Sequence, residues 1–474
     1  MSYAVYVGKH LTANGRSYLA GYGDEPSSHW LELVPRQQHP AKATITVGVT
    51  PQAEMPGELM EIPQVAETAR HLRVSYSYYR GVPAPLTNGG LNEHGVAVRD
   101  VWSPSRTELV QMTPRNQRGP NYSDLARIVV ERAHTAREGA EIIGDLIARY
   151  GYSTYGGNSH FIADADEGWV VLEFAGGQGL WAAQRVGADD IRVSRPGYIG
   201  AIPADFTNDP NVLAPPHLVS FAIAQGWFVP DETGLFDVNK VYGDGNGRSA
   251  GVRLIEDELT RRTAASKLTL EDIIWAVRHP QLTGDTAGYG QIVPLVSQPY
   301  PELRCLWHTQ SGSVAAPFVP VFLGANDLPP EFKQHRYLTY DESRRFVDGR
   351  KGGANQSQVP QTVEATRSAF RAVKRLLYWV LEHHEALLGE ITAVLQSHEA
   401  RLIAEHDDII ATATTLLHAN QPELARRYLT YYSQTELLNG LQLVETLTNY
   451  AETRSRLQHG LRETVGSRGP GQVW

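Results

Sequence analysis

The stretch Met1-Ser-Tyr-Ala-Val-Tyr-Val-Gly-Lys9 decides how this chain is interpreted. Tyr3 to Val7 is rich in β-branched and aromatic residues and is followed by a glycine and by Asn14-Gly15, so it predicts a strand that ends in a turn. If Met1 is removed, Ser2 carries a hydroxyl and a free α-amine on one residue. An α-amine titrates near pH ~7.7–8.0 and can take the proton of a neighbouring hydroxyl, so Ser2 is a candidate nucleophile with its own base.

Composition limits the possible classes of protein. The 474 residues carry a net charge of −9 and 42% hydrophobic residues, which is a globular balance that argues against nucleic acid or an anionic membrane as a partner. Cys305 is the single cysteine, so an intramolecular disulfide and a cysteine-rich zinc site are excluded. No secretory signal pattern or long apolar run appears, and we expect a cytoplasmic protein.

The patterning changes along the chain from strands to helices. Short apolar runs separated by turns predict strands at 95–98, 160–163, 169–174 and 179–186, the last three as an antiparallel meander. A helical pattern over 123–150, with Ser123 as N-cap and an interruption near Thr135, lies between them. We therefore predict an α+β fold with a core over 1–346, a polar linker at 347–360, a helical region at 361–462 and a flexible tail at 463–474.

The C-terminal region is predicted to be helical throughout. One long amphipathic helix is indicated from Phe370 to Leu395, and Asn420-Gln-Pro422 marks a break before a last helical stretch from Leu424 to Leu457. We expect these helices to pack through their apolar stripes, either covering the core or mediating self-association.

Several ordered segments resemble the dipeptidase and secernin family of the N-terminal nucleophile hydrolases. The opening of that family usually reads Cys-Thr-Thr-x-x-Val-Gly-Lys, followed by a turn and Ala-Arg-Asn-x-Asp. The corresponding segments here are Ser2 to Lys9, Ala20-Gly-Tyr-Gly-Asp24, Gly90-Leu-Asn-Glu-His-Gly-Val-Ala-Val98, Gly157-Asn-Ser-His-Phe-Ile-Ala163 and Pro317-Phe-Val-Pro-Val-Phe-Leu-Gly324. The resemblance implies a four-layer αββα sandwich and hydrolysis of an amide or peptide bond, without a metal or cofactor.

The resemblance also implies roles for individual residues. Ser2 stands where the family has its nucleophilic cysteine, and Asp24 aligns with the acidic residue that would hydrogen-bond the α-ammonium or orient the base. The arginine expected just before that acid falls at Gly21. In related acylases this arginine helps to hold the nucleophile and the substrate.

Four further residues are candidates for contacts to the substrate or the oxyanion. Arg195 replaces an expected asparagine and offers a charge-assisted contact to a carboxylate or oxyanion, with a salt bridge as the alternative. Asn158 follows two glycines and precedes a strand, so its amide either faces a cleft or caps the backbone. Arg99 and Trp102 lie in a segment that departs from the family pattern, and Trp102 either lines a pocket or is buried in the core.

Three functions remain open on this basis. The first is a small-peptide or amide hydrolase that acts through an acyl-enzyme on Ser2. The second is a specialised acyltransferase or biosynthetic peptide-processing enzyme with the same chemistry. The third is a non-catalytic binding protein on the same fold, which retention of Met1 would favour because a blocked amine cannot act as a base.

Overall fold

A computed structural model describes residues 2–25, 27–77, 82, 85–334 and 367–460. The predicted linker at 347–360 and the predicted tail at 463–474 lie outside these ranges and stay predictions.

Twenty strands are described: β1 (Tyr3–Val7), β2 (Ser17–Gly23), β3 (His29–Val34), β4 (Gln37–Gln38), β5 (Thr44–Val47), β6 (Met60–Pro63), β7 (Glu67–Thr68), β8 (His71–Tyr76), β9 (Leu86–Asn92), β10 (Ala97–Val101), β11 (Asn158–Ala163), β12 (Gly168–Glu173), β13 (Trp181–Val186), β14 (Ile191–Ser194), β15 (Ala201–Pro203), β16 (Val212–Leu213), β17 (Leu235–Asp237), β18 (Tyr289–Leu295), β19 (Cys305–Gln310) and β20 (Val319–Phe322).

The described helices fall into two groups along the chain. The α-helices are α1 (Thr107–Met112), α2 (Tyr122–Arg132), α3 (Ala136–Tyr150), α4 (Leu218–Ala224), α5 (Val238–Tyr242), α6 (Ala250–Thr263), α7 (Leu270–Val277), α8 (Ala369–Glu382), α9 (His384–His418) and α10 (Pro422–His459). Short 3₁₀ turns occupy Lys9–Leu11, Pro280–Leu282, Pro301–Leu303 and Pro330–Phe332.

Two antiparallel sheets stack face to face between layers of helices. One sheet has six strands in the order β14-β1-β2-β18-β19-β20, and the other has eight in the order β16-β13-β12-β11-β10-β9-β8-β3. Helices α2 and α3 contact the outer face of the eight-stranded sheet. Helices α6 and α7 contact the six-stranded sheet together with α8 and α10. The predicted α+β class and the αββα arrangement are confirmed.

The C-terminal helices are joined to the six-stranded sheet by apolar and charged contacts. Leu377 and Ile391 are fully buried in the same apolar cluster as β1 and β2. Arg278, at the end of α7, forms a buried bidentate ion pair with Glu399 of α9. The predicted packing of these helices through their apolar stripes is therefore present.

Two local predictions are wrong. The N-cap of α2 is Asn121 rather than Ser123, because the Asn121 side chain accepts hydrogen bonds from the backbone N–H groups of Ser123 and Asp124. The helix predicted from Phe370 to Leu395 is broken at His383, which has φ −123° and ψ 43°. The break falls in the polar run Glu382 to Glu385, where the apolar stripe is interrupted.

Candidate active site at the end of the six-stranded sheet

The candidate site lies where neighbouring antiparallel strands begin and end side by side. Strand β1 is central there, with β14 on one side and β2 on the other, and β18 continues beyond β2. This register brings together residues that are far apart in sequence, namely Ser2 before β1, Asp24 after β2, Arg195 after β14 and Thr286 before β18.

Ser2 is held from both neighbouring strands. Its side-chain oxygen accepts a hydrogen bond of 3.0 Å from the backbone N–H of Asp24. Its carbonyl oxygen accepts a hydrogen bond of 3.0 Å from Nη1 of Arg195, which is half-buried. Ser2 itself is 8% exposed. The structure therefore joins three of the sequence-predicted residues, Ser2, Asp24 and Arg195, in one constellation.

The carboxylate of Asp24 is bound by the segment that precedes β18. The hydroxyl of Thr286 donates a hydrogen bond to Oδ1 of Asp24. Two residues later, the backbone N–H of Gly288 donates to the carbonyl of Gly23 at 2.9 Å. The segment 283–288 thus fixes the end of β2, and with it the N–H group that contacts Ser2.

Arg99 lies between the sheets rather than at the open end of the site. It is completely buried, and its Nη2 donates to the carbonyl of Tyr22 at 2.7 Å. Gly21 faces it: a Cβ atom at Gly21 would lie 3.0 Å from Nε of Arg99. A side chain at Gly21 would thus crowd Arg99 of the facing sheet and, more closely, the carbonyl oxygen of Tyr3, which would lie 2.6 Å from that Cβ atom.

A buried polar cluster surrounds Arg99. Nη1 of Arg99 donates to Asp100 at 2.8 Å, and the amide of Asn88 donates to Asp100 at 2.6 Å and to Glu25 at 3.1 Å. Burial raises the pKa of Asp100 to about 6, although the adjacent Arg99 guanidinium opposes the shift. Nε2 of His29 lies 3.5 Å from the second oxygen of Glu25. The guanidinium of Arg99 thus faces the buried carboxylates of Asp100 and Glu25, behind the end of β2 that leads to Asp24.

Asn158 and Trp102 belong to an aromatic cluster at the ends of the facing strands. Asn158 is fully buried, its Oδ1 accepts a hydrogen bond from the hydroxyl of Tyr155 at 2.8 Å, and its Nδ2 donates to the carbonyl of Ser159. The half-buried ring of Trp102 lies against Tyr155, with ring centroids 4.7 Å apart. These contacts are of the capping and packing kind, and the predicted roles of Asn158 and Trp102 at the substrate or the oxyanion stay predictions.

Sequence reasoning missed the residues that support the site. Glu25 directly follows Asp24, and Thr286 lies in the polar stretch Gly284-Asp-Thr286 ahead of a strand, but neither belongs to a recognisable motif. Asn88 and Asp100 lie on neighbouring strands of the facing sheet, and only the pairing of β9 with β10 brings them together. Such cross-strand contacts have no signal in one sequence.

The described part of the chain has neither a cluster of metal-ligand side chains nor a helix that could span a membrane. Within those residues, no group of three or more His, Cys, Asp and Glu side chains is arranged to hold a metal ion. Among the described helices, none is both long and apolar enough to cross a bilayer.

A protein-family model matches part of this chain. The model described as peptidase family C69 matches residues 84–250. The matched segment contains Arg99, Trp102, Asn158 and Arg195, whereas Ser2 and Asp24 lie outside it.

Two curated relatives are described as dipeptidases. The chain is 35% identical over 127 residues to a probable dipeptidase B of Lactococcus lactis subsp. lactis (strain IL1403), which is 25% of this chain and 24% of that protein. It is 35% identical over 165 residues to a probable dipeptidase of Salmonella dublin, which is 34% of this chain and 36% of that protein. The similarity therefore spans about a quarter to a third of these relatives.

Among solved structures, two variants of the conjugated bile acid hydrolase of Clostridium perfringens are similar. Their identities are 11% and 10%, each with a TM-score of 0.30 over 65% of this chain and 89% of the other. A TM-score of 0.30 is too low to add to what the sheet topology itself shows.

Proposed function

We propose that this protein is a hydrolase of small peptides or related amides, with Ser2 as an N-terminal nucleophile once the peptide bond before it has been cleaved. The observation that carries the proposal is the convergence of Ser2, Asp24 and Arg195 at one strand end. The similarity to peptidase family C69 over 84–250 and to two probable dipeptidases supports peptide bonds as the substrate class.

The proposed reaction uses groups that this strand end provides. The freed α-amine of Ser2 takes the proton of its own hydroxyl as the oxygen attacks the substrate carbonyl, and it later protonates the leaving amine. An acyl-enzyme ester remains on Ser2, and water resolves it. Asp24 orients the α-ammonium form, and the guanidinium of Arg195 stabilises the developing oxyanion or a substrate carboxylate.

The proposal needs a Ser2 that is truly N-terminal. Mass spectrometry of the intact protein establishes whether Met1 has been removed. A second preparation carries a cleavable tag ahead of Ser2. We expect it to be inactive on a panel of unmodified dipeptides and to gain activity when a protease releases the tag, because an acylated amine cannot act as a base.

Replacement of the hydroxyl gives the direct test of the nucleophile. Ser2→Ala should abolish turnover, with a fall in kcat of at least about 1,000-fold, because no acyl-enzyme can form. Ser75→Ala is the matched control, since Ser75 is a similarly buried serine in β8 of the facing sheet. Full activity in Ser2→Ala or in the tagged protein would overturn the mechanism.

Turnover assays with and without an added amine acceptor separate the alternative functions. Product that appears only when an amine acceptor is added identifies an acyltransferase, because the acyl-enzyme is then resolved by the amine. Absence of turnover and of acyl-enzyme mass with a verified Ser2 terminus would contradict the enzymatic proposal and leave a binding protein on this fold.

A further inference from the structure

Helix α8 of the C-terminal region reaches the segment that binds Asp24. Lys374 of α8 is 8% exposed, and its Nζ donates to the carbonyl oxygen of Asp285 at 2.6 Å. One turn earlier, the ring of Phe370 stacks on His29 at 5.9 Å between ring centroids. An ammonium group is costly to remove from water unless it meets polar partners, so a lysine buried against this carbonyl marks a specific contact.

The bound segment continues directly to the candidate site. Asp285 is followed by Thr286, whose hydroxyl donates to Asp24, and Gly288 donates to the carbonyl of Gly23. From the other side, Ser311 donates to the carbonyl of Ala287 at 3.1 Å. The segment 283–288 is therefore held between the C-terminal layer, the neighbouring strands and the end of β2.

We propose that Lys374 is a positioning residue for the candidate active site, acting through the segment 283–288 on Asp24. The inference rests on the proposed function for its kinetic consequence. The contact that Lys374 makes to this segment is to the main chain of Asp285. It fixes the carbonyl of Asp285, so Thr286 stays in reach of the carboxylate of Asp24, the residue whose backbone N–H contacts Ser2.

Two adjacent residues of α8 provide a matched pair of variants. Lys374→Met removes the contact to Asp285, whereas Arg375→Met removes an exposed ion pair with Glu452 of α10. We expect Lys374→Met to lower kcat about 10-fold with KM within about twofold, because small misplacements of catalytic groups cost rate rather than binding. Arg375→Met should behave as wild type. Lys374→Arg keeps a charged donor and should retain most of the kcat that Lys374→Met loses.

A double-mutant cycle tests whether the effect travels through Thr286. Thr286→Val removes the hydroxyl that binds Asp24 and should itself lower kcat about 10-fold. If both residues act on Asp24 through the same segment, the double variant should be little worse than either single variant. Independent, multiplying losses in kcat would overturn the proposal, as would an unchanged kcat in Lys374→Met. Thr286→Val carries the test if Lys374→Met does not fold, and an unchanged kcat in that variant overturns the proposal as well.

Hydrogen exchange separates this inference from the proposed function. In Lys374→Met, peptides covering 22–25 and 283–288 should exchange faster, whereas Arg375→Met should leave both unchanged. This readout needs no turnover, so it tests the contact even if wild-type protein with a verified Ser2 terminus hydrolyses no peptide. Unchanged exchange in both peptides would overturn the positioning role.

Discussion

The two sheets contribute to the candidate site in different ways. The six-stranded sheet places Ser2, Asp24 and Arg195 at its strand ends, where main-chain register determines their spacing. The eight-stranded sheet contributes buried groups behind that edge, with Arg99 and Asp100 on β10. Asp24 and Arg195 are half-buried and Ser2 is buried, and we expect their positions to depend on the charges that the facing sheet buries behind them.

The strongest test of this division concerns Arg99. Arg99→Met should lower the free energy of unfolding by about 3–5 kcal/mol, because Asp100 and Glu25 lose the cation that faces them in the buried cluster. Arg185→Met on β13 of the same sheet removes an ion pair with Glu167 near the surface and should cost less than about 1 kcal/mol. Urea denaturation at pH 7.5 measures both values, and equal losses would contradict the supporting role of the facing sheet.

Acid should destabilise both sheets, through His71 in the eight-stranded sheet and His308 in the six-stranded sheet. Burial lowers the pKa of His71 on β8 and of His308 on β19 to about 4. Each therefore contributes stability that is present above pH ~6.5 and is lost as the pH falls through about 4, amounting to about 3 kcal/mol per residue.

Thermal denaturation from pH 7 to pH 4 tests this expectation. His71→Gln and His308→Gln should each flatten the pH dependence of Tm, whereas His10→Gln, at an exposed position, should leave it unchanged. Flattening by only one of the two buried variants would contradict the prediction for the other histidine. An identical pH dependence in wild type and both variants would contradict the prediction.

The smallest expected effect concerns Arg195, which directly follows β14 of the six-stranded sheet. Arg195→Met removes the contact to the Ser2 carbonyl and should lower kcat/KM about 10-fold, while stability changes by less than about 1 kcal/mol because the side chain is half-buried. The expected loss of stability is therefore smaller than the loss expected for Arg99→Met. A large loss of stability with unchanged kcat/KM would place Arg195 among the structural residues instead.

Local patterns predicted the strands well where apolar runs are bounded by turns. Strand β1 spans Tyr3–Val7 as predicted, and the meander of β11, β12 and β13 has the predicted order. The position of each of these strands can be predicted locally, because short apolar runs alternate with glycine-rich turns in the sequence. The resemblance to a known family supplied the stacking of the sheets, which no local pattern contains.

Contacts between distant segments could not be predicted. The sequence indicated Ser2, Asp24 and Arg195, but the location of Arg99 beside Gly21 depends on how the two sheets face each other. The contact of Lys374 with Asp285 joins residues 89 positions apart, and no motif links them. The roles of the site residues, self-association and the division of the chain at 346 stay predictions.

The register of β1 also has a consequence for the order in which the chain acquires structure during synthesis. Strands β1 and β2 pair as a hairpin within the first two dozen residues, but β1 meets β14 only when residues 191–194 exist, and β2 meets β18 only after residue 289. Until then, one edge of each strand has unpaired backbone N–H and C=O groups. High contact order of this kind slows folding and favours protection by chaperones.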